Sequence, residues 1–350
     1  MEAKDFIIVG ENIHCTRVVK SGGVRTAKLP GGGEGVKYQK NGEEMVLPVP
    51  SKWEEVSPQY AEGKIRHIVL GIYQALNGKG EAERRAGEDY LYWVAERQVE
   101  KGADFLDVNV DEYSVYQEER NEIMKWIVGF LAERFSTPLS IDSSSEETLV
   151  AGLETYVEKL KERTAGKGEM PIPMVNSVSL EREGVADIIM DYSAHAVVSA
   201  AGRSGLPSTA HEKIANLEEM VSILDKKGMK REKMHLDPLV LPISVDSNNG
   251  KNFLEAVREA RKRFDGVHIT GGLSNVSFGM PKRKLINQAF TWLFIEAGGD
   301  GAIIDPVQLS IEKLFTMDRE TEAFKLAMAL LDGTDLFGAE YIAAYRDGRL

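Results

Sequence analysis

Cysteine is nearly absent: the 350 residues hold one, Cys15. A lone thiol excludes an internal disulfide framework and any zinc site built on two or more thiolates of one chain. Positive charge is in deficit, with 43 Lys and Arg against 55 Asp and Glu, a net −12. That balance argues against a general nucleic-acid binder, which needs clustered positive charge. It leaves room for a small anionic ligand held by a few local basic groups. No apolar stretch approaches the ~18 residues of a membrane span. The start, MEAKDFIIVG, has no basic segment followed by a long apolar run, so no secretory signal is read and a soluble cytoplasmic protein is expected. A hydrophobic fraction of 43% and a charged fraction of 28% are those of a globular chain and exclude disorder and collagen-like structure.

Short apolar runs recur along the chain: Phe6 to Val9, Phe105 to Val110, Leu139 to Ile141, Met174 and Val175, Ala196 to Val198, Met234 to Leu236, Val267 to Thr270, and Ala302 to Ile304. Each is short, β-rich and apolar without alternation, as a strand buried on both faces requires. Helical stripes lie between them, at Leu91, Val94, Ala95 and Val99, at Leu217, Met220, Val221 and Leu224, at Phe253, Val257 and Ala260, and at Leu285, Phe290, Leu293 and Ala297. Asn216 and Glu219 read as the cap and third position of a capping box. Repeated strand–helix units build parallel sheets. Eight runs without a long second domain favour a closed (β/α)8 TIM barrel, one domain over residues 1–350, rather than a doubly wound open sheet.

One segment breaks the rhythm. Residues 15–65 are rich in Gly, Lys and Pro and read as an insertion after the first strand, a lid or an oligomer contact. Within it, GVKYQ, KNGE and EMVLPV predict a hairpin turning at Asn41-Gly42. The glycine run from Gly31 to Gly35 lacks the preceding strand, following helix and Lys-Ser/Thr of a P-loop and reads as a link.

Barrel enzymes place their chemistry where strands end. Here those ends read Gly10-Glu11-Asn12, Asp107 with Asn109, Asp142-Ser143-Ser144, Asn176-Ser177, Asp237-Pro238, Ser274-Asn275 and Asp305-Pro306. Any one of them is an ordinary turn former or helix cap; seven at the same end of the strands point to a site. A ring of carboxylates and amides without a Cys or His cluster does not suit a transition metal. It suits hard Mg²⁺ or Ca²⁺, or a planar heterocycle with adjacent N–H donors, which a carboxylate accepts in parallel. The 2-amino-4-oxo edge of a pterin fits the second description.

The segments Gly10-Glu11-Asn12-Ile13, Leu106 to Val110, Ile141-Asp142-Ser143, Val175-Asn176-Ser177, Leu236 to Pro242 and Gly272 to Ser277, followed by Leu285-Ile286-Asn287, occur in that order. Together they resemble the pterin-binding barrel methyltransferases that move a methyl group between methyltetrahydrofolate and a corrinoid protein, a group that includes the folate domain of cobalamin-dependent methionine synthase. The resemblance covers about residues 5–14 and 80–310. It implies tetrahydrofolate or 5-methyltetrahydrofolate as substrate, a corrinoid carried by a partner protein, no resident metal, and a homodimer. Carried over, Asp142, Asn176 and Asp237 hold the pterin edge, Asn275 lies near the methyl-bearing N-5, and Asp107 and Asn109 complete the polar floor. Glu11 belongs to the supporting Gly-Glu-Asn-Ile segment. Arg283 either meets the benzoyl-glutamate tail or begins the next helix. The chain departs from the group in three places. Phe278 replaces a glutamine, Val197 to Gly202 lacks a Thr-Met-Asn-like ending, and the insertion has no counterpart in minimal members.

Cleavage of an N-5 methyl amine needs protonation of, or hydrogen bonding to, N-5. Asn275 would donate that bond, and a water held by Asp107 or Asp142 would relay the proton. The direction of transfer is open. Three alternatives stand beside this reading. Dihydropteroate synthase shares the fold, but its Asn-Val-Thr-Pro-Asp-Ser-Phe and Ser-Arg-Lys loops are replaced here by Glu-Asn-Ile-His and Ser-Asn-Val-Ser. A tetrahydromethanopterin-dependent relative would use the same pterin edge. A non-catalytic pterin-binding subunit would not need Asn275. Adjacent His14 and Cys15 read as structural or loop residues.

Overall fold

The computed structural model describes residues 2–164 and 170–350. Its largest sheet has eight strands: β1 (Ile7–His14), β2 (Phe105–Asn109), β3 (Leu139–Asp142), β4 (Met174–Val178), β5 (His195–Ser199), β6 (Met234–Asp237), β7 (His268–Ile269) and β8 (Gly301–Ile304). The order is β7-β6-β5-β4-β3-β2-β1-β8. β8 pairs in parallel with β1, from Ile7 opposite Gly301 to Gly10 opposite Ile304. On its other side β8 bonds the end of β7, through Asp300 N–H to the Ile269 carbonyl and Ile303 N–H to that of Gly271. The sequential order and this last junction are those of a (β/α)8 barrel. Among the described residues no helix is long and apolar enough to cross a membrane.

The chain divides into two compact units. The first comprises Met1–Gly10, Lys101–Phe105 and Ile172–Leu350. Val9, Phe105, Met174, Val197 and Ile303 form a buried apolar layer within it. At the strand starts His195 Nδ1 lies 3.0 Å from His235 Nε2, and the His235 and His268 rings stack at 4.9 Å. His268 Nδ1 meets Asp300 Oδ2 at 3.0 Å, and Arg261 meets the other oxygen at 2.9 Å. The helix Ala210–Lys226 starts earlier than expected, because Thr209 and Glu212 form the capping box. Asn216 instead donates from inside the helix to the Ala200 carbonyl at 2.8 Å.

The second unit comprises Glu11–Glu100 and Leu106–Pro171. Its inserted segment holds a hairpin of Glu34–Lys40 and Glu43–Pro48 turning through Asn41 and Gly42, both with positive φ. Thr26–Lys28 adds a third strand, and Val18–Lys20 pairs with Lys64–Arg66. Tyr38 carries the hairpin's apolar face onto the 20-residue helix Glu81–Glu100, edge-on to Tyr90 at 5.6 Å. That helix also closes on His67–Asn77, where a Cβ on Gly87 would stand 2.4 Å from the Ala75 nitrogen. Gly87 is therefore a close-approach glycine.

Candidate active site

The second unit gathers Asp107, Asn109 and Asp142, three of the expected residues, at the ends of neighbouring strands. β2 and β3 pair with Asn109 opposite Asp142 and Asp107 opposite Ser140. Asp107 is 1% exposed, and the Ser140 hydroxyl donates to it at 2.6 Å. Burial and the Asp107 carboxylate push the Asp142 carboxyl well above its usual range; a hydrogen bond from Asn109 works against this. Two facing carboxylates do not both ionise readily, so the pair retains a proton. The Asn109 amide is oriented from both sides, its oxygen taking the Asp111 N–H at 3.1 Å and its nitrogen facing Asp142. Asp111 in turn accepts from the Ser143 hydroxyl at 2.6 Å and the Ser144 N–H at 2.7 Å, which ties the loops after β2 and β3 together.

His14 stands beside this pair, which the sequence reading missed. β1 runs on to His14, past the expected end at Gly10-Glu11-Asn12, so the residue ends a strand and does not lie in a loop. Thr16 N–H and hydroxyl both lie on Nδ1, at 3.2 and 2.8 Å. This assigns the ring proton to Nε2, which faces Asp142 Oδ2 at 3.9 Å. Burial, then Arg17, lowers His14 to about 4 against an opposing pull from Asp111, so the imidazole is neutral at pH 7. Glu11 is engaged elsewhere: Arg17 holds its carboxylate at 2.5 Å and its carbonyl at 3.2 Å. A cleft of about 810 Å³ in the same unit sets Arg66 and Arg120 against Glu55, Asp111, Glu112 and Glu119, so it offers no net positive field to a polyanion.

The first unit holds the other expected residues. Asn176 is half-buried on β4. Asp237 ends β6, 8% exposed, with the Leu239 N–H on its Oδ1 at 2.8 Å. Burial lifts this carboxyl to about 6, against the pull of the Leu239 N–H and the Lys213 ammonium. A Cβ on Gly271 would lie 3.3 Å from the same oxygen and 3.2 Å from the Phe253 ring. Glycine there leaves the approach to Asp237 open. Asn275 is exposed on the short turn Leu273–Ser277 after β7. Arg283 begins the helix Arg283–Glu296 and braces that turn, with Nε on the Ser277 hydroxyl at 3.0 Å and a second nitrogen on the Ser274 carbonyl at 2.9 Å. Asp305, by contrast, accepts the N–H groups of Val307 and Gln308 and closes its own turn.

Lys213 was also missed. It occupies the apolar stripe of the helix Ala210–Lys226, one turn before Leu217, and a charge in such a stripe is the signal that marks it. Among the described residues no three His, Cys, Asp or Glu side chains converge as a metal site would require.

A barrel with acids and amides at its strand ends defines the class, and the comparisons define the family. Residues 88–305 match the family described as pterin binding enzyme, and the chain belongs to it. A methylcorrinoid:tetrahydrofolate methyltransferase of Eubacterium limosum is 29% identical over 293 residues, 81% of this chain and 97% of that one. A methionine synthase of Mycobacterium tuberculosis is 29% identical over 257 residues, 68% of this chain, which spans only 20% of that protein's length. Two solved dihydropteroate synthases share the fold. The one from Stenotrophomonas maltophilia has a TM-score of 0.52 at 18% identity, covering 66% of this chain and 87% of its own. The one from Xanthomonas albilineans has 0.50 at 18%, covering 65% and 83%.

Proposed function

We propose that this pterin binding enzyme transfers a methyl group between the cobalt of a corrinoid protein and N-5 of tetrahydrofolate. The observation that carries the reading is the match to the Eubacterium limosum methyltransferase over nearly all of that protein's length. Its name gives the direction we assign, from the methylated corrinoid to tetrahydrofolate. In that direction the N–H of N-5 gives way to N–CH₃, one proton is released, and the cobalt keeps the electron pair of its former bond to carbon.

Residue roles follow from chemistry and from the resemblance. Asp142, Asn176 and Asp237 take the pterin edge, and Asp107 and Asn109 the floor beside it. Asn275 donates a hydrogen bond near N-5, which helps only if it strengthens as charge changes there. The Asp107–Asp142 pair, which keeps one proton between two oxygens, is the chain's proton-handling group. His14 is a neutral neighbour of that pair and adds no competing charge at pH 7. Glu11 and Arg283 act by positioning, Glu11 through Arg17 and Arg283 through the turn bearing Asn275. The carried-over quaternary arrangement is a homodimer, and residues 15–65 serve as a lid or an oligomer contact. Sedimentation of the full chain tests the dimer.

The direct test of the activity is methyl transfer from methylcobalamin, or from a methylated corrinoid protein, to tetrahydrofolate under reducing conditions. Loss of the methyl–cobalt absorbance with matching formation of 5-methyltetrahydrofolate is expected. No transfer with either donor, at protein concentrations that bind tetrahydrofolate, contradicts the reading.

A further inference from the structure

The helix Ala210–Lys226 buries a cation with no part in the roles above. Lys213 is 1% exposed. Its Nζ donates to the carbonyls of Pro238 at 2.7 Å and Leu239 at 2.6 Å, the two residues that follow Asp237. Leu239 has φ +62 and returns its N–H to Asp237 Oδ1 at 2.8 Å. The ammonium thus grips the turn, and the turn grips the carboxylate.

Two carbonyl acceptors alone do not call for a charge, since a neutral donor satisfies them. A buried lysine is stable only when its lost hydration is compensated. The compensation here is an acid. Asp237 and Glu212 are the charged groups acting on Lys213, and Lys213 is the charged group acting on Asp237. Among the described residues no second cation acts on Asp237: Ser199 is its register neighbour on β5, and Gly271 lies beside Oδ1 with the Phe253 ring behind it.

We propose that Lys213 is a positioning residue for ligand recognition, holding Asp237 as an ionised, two-acceptor carboxylate at a fixed angle. The inference rests on the pterin reading and deepens it. Asp237 held in this form selects a heterocycle edge with two adjacent N–H donors, as in a 2-amino-4-oxo ring. A protonated carboxyl would offer one donor and one acceptor and would lose one of the two bonds.

The test needs a readout that a purely structural lysine would not move. Aspartate labelled with ¹³C at the carboxyl gives the titration of Asp237 in the ligand-free protein, its resonance identified by its loss in Asp237→Asn. Lys213→Gln keeps a donor and removes the charge; Lys213→Arg keeps the charge. The midpoint, near 6 in the parent, is expected to rise by about two units in Lys213→Gln and to stay in Lys213→Arg. Tetrahydrofolate affinity at pH 7 should fall about tenfold in Lys213→Gln and recover at pH 8.5 as Asp237 ionises. An unchanged midpoint, or an affinity loss equal at both pH values, overturns the proposal. Should Lys213→Gln not fold, tetrahydrofolate affinity of Lys213→Met in the Asp237→Asn background decides the matter: no further loss is expected, and additive losses overturn the proposal. A midpoint that moves in a protein that binds no tetrahydrofolate removes the pterin reading and leaves the Lys213–Asp237 coupling standing.

Discussion

Asp142 and Asp237 end strands in different units, and burial lifts the carboxyl of each above its ordinary range. Their neighbours then divide them. Asp142 faces another acid, so its pair keeps a proton and can exchange it. Asp237 faces a buried lysine and a backbone N–H, so it keeps a charge and an orientation. The same residue type at equivalent ends of two strands thus becomes a proton holder in one place and a fixed acceptor in the other. The comparison teaches that a strand-end acid takes its role from what packs against it rather than from its position.

The largest expected effect separates holding from reacting. Asn275→Ala should lower turnover by about 10²–10³-fold while tetrahydrofolate affinity falls much less. Equal losses in rate and affinity would deny Asn275 its place near N-5. Next is Asp237→Asn, which turns an acceptor pair into half a donor. Tetrahydrofolate affinity should fall by about 10–100-fold, the worth of a charge-assisted bond, and calorimetry reads it. Unchanged affinity would remove Asp237 from the pterin edge.

Asp142→Asn should act on stability through pH. A carboxyl raised in the folded state favours folding while protonated, and that contribution is lost as pH rises through its folded value. Removing Asp142 should therefore raise the alkaline Tm, by a few degrees for about 1 kcal/mol, and leave the Tm at pH 4 nearly unchanged. A uniform shift at every pH would contradict the shared proton.

The histidines at the strand starts supply the opposite sign. Burial lowers His195 to about 4 and His235 well below its usual value. The unfolded chain then binds more protons than the folded one below about 6.5, so stability is full at neutral pH and declines as pH falls toward 4. His195→Phe should flatten the acid limb of a Tm–pH curve, a smaller effect because the ring is only partly buried. An unaltered limb would assign acid sensitivity to other groups.

Much of this was legible in the sequence. All eight apolar runs fall on strands of the large sheet, and Asn41-Gly42 makes the hairpin turn that its positive φ values require. The ends were harder to read. β1 continues past Gly10-Glu11-Asn12 to His14 because β-pairing does not need the apolar side chains that mark a run, and this brought His14 to Asp142. The helix Ala210–Lys226 starts at its Thr209–Glu212 capping box, but its first turn is polar, and a stripe drawn from Leu217 does not reach back to Lys213. A list of strand-end acids cannot say which acid faces an acid and which a lysine. That is a matter of register between segments: across β2 and β3 Asn109 stands opposite Asp142 and Asp107 opposite Ser140, and Lys213 lies over the turn after Asp237.

The most direct test of the account is calorimetric titration of the protein with tetrahydrofolate, 5-methyltetrahydrofolate and dihydropterin pyrophosphate. The account predicts saturable binding of both folates and little response to the pyrophosphate. Preferential binding of the pyrophosphate would contradict it and move the chain to the synthase reaction.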